Sequence, residues 1–150
     1  DMFNKSHAVY YDILKKDIRK KKLSKIAKFI KSSFPSPITV VGMGLSGTLI
    51  ATFIASKINC NLCIIRKSTD TDNHSSRRFE AGEEFSEYII VDDCISTGKT
   101  VDNIKSVLVG KNCLGIVLFN NYPISGLPEL LASENIFGFT SAGKVITVFE

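Results

Sequence analysis

Apolar positions along the chain recur with two different periods, and the change from one to the other organises it. From Ser6, the segment SHAVYYDILKKDIRKKKLSKIAKFIKSSF sets Ile18, Leu23, Ile26, Ala27 and Ile30 at roughly helical spacing. It predicts one or two amphipathic helices, with Ser6 as N-cap and the prolines at 35 and 37 as the stop. Beyond them, short apolar runs at 38–41, 62–65, 88–91 and 113–119 read as strands. Between these lie two helical patterns, TLIATFIASKI and KTVDNIKSVLVG, the second ending at Gly110. The stretch 66–87 is polar and reads as a long loop. After Phe119 come a loop with Pro123 and Pro128, a short helix around PELLAS, and two strand candidates, IFGFT and KVITVF. The alternation predicts an α/β fold: a doubly wound, mostly parallel sheet with N-terminal helices and a small antiparallel C-terminal hood.

Composition narrows this further. A chain of 150 residues fits one compact domain, 1–150, burying roughly 70% of its unfolded surface. With 44% apolar and 23% charged residues it sits near globular averages, which argues against disorder or a fibre. The net charge of +4 suits a small anionic substrate, and it is too scattered to call for nucleic acid. Most of the positive charge lies at 15–31, where few aromatics interleave with the lysines, so the run reads as a solvated helix face rather than an RNA or membrane patch. No apolar run approaches the roughly 20 residues of a membrane span, and the amino end lacks a signal-peptide core, so a cytoplasmic protein is expected. Asp1 reads as an addition ahead of a natural start at Met2. The pair Cys60 and Cys63 has no second pair or nearby histidine to complete a metal site; with Cys94 and Cys113 it reads as reduced core thiols.

Ligands of such sheets sit beyond the carboxyl ends of the strands. The segment YIIVDDCISTGKT suits that place: a buried strand, two adjacent carboxylates, then Ser96, Thr97, Gly98, Lys99 and Thr100 entering a helix. Amides and hydroxyls there can wrap a phosphate at the helix's positive end, and Gly98 permits close approach. Asp92 and Asp93 can accept hydrogen bonds from vicinal hydroxyls, so the segment reads as phosphate plus ribose. The GKT at 98–100 is not a P-loop, because Asp93 stands where that motif needs glycine. Gly42, Gly44 and Gly47 form a G-x-G-x-x-G, and Arg66 with Lys67 about 20 residues on would suit an NADP phosphate. That alternative leaves the acid pair unexplained.

IIVDDCISTGKT resembles the motif by which type I phosphoribosyltransferases bind phosphoribosyl diphosphate (PRPP), and the resemblance in layout runs from about Ile38 to Phe119. It implies transfer of a phosphoribosyl group between PRPP and a purine- or pyrimidine-like base, with release of pyrophosphate. Asp92 and Asp93 would hold the ribose hydroxyls, and Ser96, Thr97, Gly98, Lys99 and Thr100 the 5′-phosphate. Met43, Gly44, Leu45, Ser46 and Gly47, with Arg66 and Lys67, would bind pyrophosphate. Mg²⁺ would be held through PRPP and water, with no direct protein ligand. His74, Arg77 and Arg78, in the polar stretch, would help close the site. Tyr122, Phe137 and Phe139 would stack on the base. The resemblance also implies a homodimer built on the apolar side of the N-terminal helices. The chain departs from the orotate branch, which has a lysine where STDTDNHSS stands, and from the hypoxanthine-guanine branch, which has an acid in place of Ser96 and a lysine where LFNNYPISG has none. A sensor of PRPP or a nucleotide on the same fold is the alternative reading.

Overall fold

The computed structural model describes residues 13–67, 78–95, 97–120, 131, 133–140 and 142–147. Helix α1, Lys16–Ser33, is followed by strand β1, Thr39–Met43, helix α2, Gly44–Ile58, strand β2, Asn61–Ile65, and strand β3, Phe79–Ala81. Then come β4, Glu87–Asp92, α3, Lys99–Val107, β5, Asn112–Leu118, β6, Ile136–Phe139, and β7, Val145–Thr147. All seven strands form one sheet in the order β3-β2-β1-β4-β5-β6-β7.

The pleat explains why both faces are apolar, since successive side chains on a strand point to opposite sides. Val40, Ile89, Val91, Val117 and Phe119 face one way and pack with Leu23, Ile26 and Ile30 of α1 and Ile50 and Ile54 of α2. Val41, Met43, Ile90, Ile116 and Leu118 face the other way, against Val101, Ile104 and Leu108 of α3 and the segment after it. Each of these Ile and Leu side chains, once fully buried, contributes about 2 kcal/mol relative to exposure. The sheet is therefore covered by helices on both sides, as the alternation predicted.

Three expectations change. The polar stretch conceals β3, which pairs antiparallel with β2 at Cys63↔Ala81, Ile64↔Glu80 and Ile65↔Phe79. A three-residue edge strand exposes one face and one edge to water, so it needs no apolar run. IFGFT is not part of an antiparallel hood: β6 continues the sheet in parallel beside β5, with Ile116↔Ile136 and Val117↔Phe137, and of the two C-terminal strands β7 alone runs antiparallel to the main sheet direction. The apolar stripe of α1 is committed to the core, with Leu23 and Ile26 at most 2% exposed and Ala27 and Ile30 fully covered, so it is not available to a second subunit. Ser6 lies outside the described residues. No described helix is long and apolar enough to cross a membrane.

Candidate functional site

β1 has β2 on one side and β4 on the other, so the connections leaving its carboxyl end and that of β4 diverge to opposite faces of the sheet. That divergence is where open α/β sheets leave room for a ligand. A cleft of about 340 Å³ opens there, lined by Met43 to Ser46, Lys67, Asp92 to Ile95, and Thr97 to Val101.

Two helices aim their amino ends into it. α2 begins directly at Gly44 with no intervening loop, where a tight glycine loop was expected; its N-cap residue, Met43, makes no side-chain cap, and no acid lies in its first turn. Its first amides are thus open to an anion. The turn is possible because Gly44 adopts a φ of 74°. Gly42 lets strand and helix approach: a Cβ there would meet the Gly47 carbonyl oxygen at 2.4 Å. α3 likewise starts behind Gly98, with φ of 83° and no side-chain cap from that residue, while the Lys99 amide donates to Thr97 Oγ1 at 3.3 Å.

The acid pair sits between these two ends. The Asp93 amide donates to Asp92 Oδ1 at 2.8 Å, and the Cys94 amide to Asp93 Oδ1 at 2.7 Å, which fixes both carboxylates on a tight turn. The turn is tied to β5 by bonds from the Phe119 amide to Asp92 O, 2.8 Å, and the Asn120 amide to Asp93 O, 2.9 Å. Burial, and then the neighbouring Asp93, hold the Asp92 carboxyl well above its ordinary value, while the Lys67 charge acts in the opposite direction. Gly47 faces the same carboxylate: a Cβ on it would lie 3.4 Å from Asp92 Oδ1. The Lys67 ammonium stands over the start of α2, 3.7 Å from where a Gly44 Cβ would be. Burial pushes the Cys94 thiol up to about 12, so it stays neutral beside the acids.

The structure thus brings together Asp92, Asp93, Thr97, Gly98, Lys99, Thr100, Met43, Gly44, Leu45, Ser46 and Lys67 at one cleft, with Gly47 behind the acid pair. Arg66 is placed differently: its guanidinium lies 3.6 Å from Glu80 on β3, and it does not line the cleft. Arg78, beside the carboxyl end of β2, lines a larger groove of about 1490 Å³ that runs along β3 to Thr39, Asn61 and Glu87 at the amino ends of β1, β2 and β4. That groove meets the carboxyl-terminal part of α3, and its charged lining is mixed, Glu83, Glu84 and Glu87 beside Arg78 and Lys111. Phe137 and Phe139 pack against Phe29 of α1, with ring centroids 5.2 and 5.5 Å away, and Phe139 is 2% exposed. Phe139 is thus a core aromatic rather than a stacking platform, and Phe137 is half-buried against α1 away from the cleft. His74, Arg77, Ser96 and Tyr122 lie outside the described residues. The four cysteines are free, but only Cys63 on β2 is a core thiol, pushed up to about 12 by burial; Cys60 and Cys113 are half-buried and Cys94 lines the cleft.

A family model described as the phosphoribosyl transferase domain matches residues 10–119, most of the chain. This chain belongs to the phosphoribosyltransferase family. Among curated proteins it is similar to the orotate phosphoribosyltransferase of Bacillus subtilis, 27% identical over 122 residues, covering 80% of this chain and 56% of that protein. The orotate phosphoribosyltransferase of Bacillus cytotoxicus is 24% identical over 117 residues, covering 77% of this chain and again 56% of the relative. This phosphoribosyltransferase-family chain therefore spans about half the length of those relatives. Its fold matches solved structures of orotate phosphoribosyltransferase from Aeropyrum pernix, with a TM-score of 0.58, 14% identity and coverage of 73% of this chain and 62% of the other. It also matches adenine phosphoribosyltransferase from Saccharomyces cerevisiae, with a TM-score of 0.54, 19% identity and coverage of 71% and 69%. Membership retires the dinucleotide reading of the glycine motif: Gly42 serves the close contact of β1 with α2, Gly44 the turn between them, and Gly47 faces Asp92.

Proposed function

We propose that the cleft binds PRPP with Mg²⁺ and that the protein transfers its phosphoribosyl group to a nitrogenous base, releasing pyrophosphate. One observation carries this reading: the amino ends of two helices open on the same cleft, with a pair of adjacent carboxylates between them. PRPP carries phosphate at one end of a ribose and pyrophosphate at the other, so its charges fall at α3 and α2 while its hydroxyls meet the acids. Thr97 to Thr100 hold the 5′-phosphate. Asp92 and Asp93 accept from the ribose hydroxyls, and the α2 amides with Lys67 hold the pyrophosphate as it departs. Departure leaves a cation-like sugar, so the protein's work is to stabilise the leaving group and keep water out.

Among the described residues no cluster of three or more His, Cys, Asp or Glu side chains could cage a metal. Two carboxylates beside a polyphosphate pocket do fit a Mg²⁺ held mainly by ligand oxygens and water. The ion would supply neutralisation of pyrophosphate charge. The proposal includes a cytoplasmic setting and a homodimer. A second reading, PRPP sensing without transfer, is favoured by the engagement of Arg66 with Glu80 away from the cleft.

Calorimetric titration with PRPP and Mg²⁺ tests the site. Binding by the wild type that is lost in Asp92→Asn/Asp93→Asn supports it. Equal binding by both proteins would place PRPP elsewhere, and a response to NADPH alone would reinstate the dinucleotide reading.

A further inference from the structure

Helix α1 exposes almost every lysine it carries, Lys16, Lys20, Lys21, Lys25, Lys28 and Lys31 among them, yet buries Lys22 to 3% exposure. The Lys22 ammonium donates to Asn120 Oδ1 at 3.0 Å and lies 4.3 Å from the centroid of the Phe119 ring. Asn120 is itself only 7% exposed. A lysine has donors alone, so it fixes the carboxamide with oxygen inward. The opposite atom, Asn120 Nδ2, is buried and has no partner among the described residues. Burying a polar pair carries a desolvation cost that an apolar filling of the same space would not.

What the pair does instead is hold two residues whose backbones grip the acid turn. The Phe119 amide donates to Asp92 O and the Asn120 amide to Asp93 O. Neither Lys22 nor Asn120 lines the cleft. We infer that Lys22 and Asn120 form a buried brace from α1 that positions the Asp92–Asp93 turn for its ligand, Lys22 being a positioning residue. The inference rests on the PRPP reading of that cleft.

Lys22→Met, Asn120→Leu and the double variant are compared with wild type by PRPP calorimetry in Mg²⁺ and by thermal denaturation. A positioning role is expected to weaken PRPP binding by Lys22→Met about ten-fold at a temperature where both proteins remain folded. The double variant is expected to lose no more affinity than the worse single variant, because the pair acts as a unit. Unchanged affinity with a lowered melting temperature, or additive losses, would overturn the brace. Should Lys22→Met fail to fold, Asn120→Leu carries the same comparison. If the wild type binds no PRPP, the functional reading falls, and the brace is judged by hydrogen exchange at the Asn120 amide. At least ten-fold faster exchange in Lys22→Met supports it, and equal exchange overturns it.

Discussion

Burial and the adjoining Asp93 carboxylate hold Asp92 above its ordinary value of 3.8, so its charged form is disfavoured in the folded protein. The folded state then binds more protons than the unfolded state over the window that begins near 3.8 and extends upward. Within it, stability falls as pH rises. Asp92→Asn keeps an oxygen for the Asp93 amide and removes the charge. It is expected to raise the melting temperature of the ligand-free protein at neutral pH, with the gain vanishing below 3.8, while weakening PRPP binding; denaturation scans across pH check this. The glycines separate in the same way. Gly42→Ala would drive a Cβ to 2.4 Å from a backbone oxygen and is expected to cost about 3 kcal/mol in urea denaturation. Gly47→Ala makes an ordinary 3.4 Å contact and is expected to leave stability level or slightly higher, though it crowds Asp92. The acid pair and Thr97 to Thr100 were legible in the sequence because chemistry and spacing coincide on a few consecutive residues. Gly42 and Gly47 looked like ligand glycines, since only coordinates show what stands opposite a missing Cβ. Lys22 looked like its exposed neighbours, because its partner Asn120 is 98 residues away.

Among the elements, the buried strands announced themselves, since β1 and β4 are covered on both faces and must be apolar nearly throughout. β3 did not: its half-exposed residues carry no period, and its pairing with β2 is a long-range event. The direction of β6 was equally illegible, because parallel or antiparallel addition to an edge needs the same apolar residues. α3 was read at nearly its full length, although the helix closes at Val107 and reaches Gly110 through a turn. Its start depends on Gly98 at a φ of 83°. Gly98→Ala puts a side chain in the left-handed region and is expected to cost about 1 kcal/mol in denaturant unfolding, with weaker PRPP binding by calorimetry. Wild-type stability would mean that the α3 amino end is not built on that conformation.

For the molecule as a whole, the doubly wound sheet and its switch point place two helix amino ends and an acid turn within one cleft. Family membership follows from a match over residues 10–119, although the chain spans only 56% of its orotate phosphoribosyltransferase relatives. The larger groove mixes Glu83, Glu84 and Glu87 with Arg78 and Lys111 and meets α3 toward its carboxyl-terminal half rather than at its amino end. The homodimer belongs to the proposal, and with the apolar stripe of α1 buried it must use another surface; a dimeric mass by light scattering supports it and a monomer rejects it. The most direct test of the account is pyrophosphate release from PRPP and Mg²⁺ with a panel of purine, pyrimidine and pyridine bases, orotate and adenine included, beside Asp92→Asn/Asp93→Asn. Release with one base, abolished in the double variant, is the expected result; no release with any base, or release that survives the double variant, would contradict it.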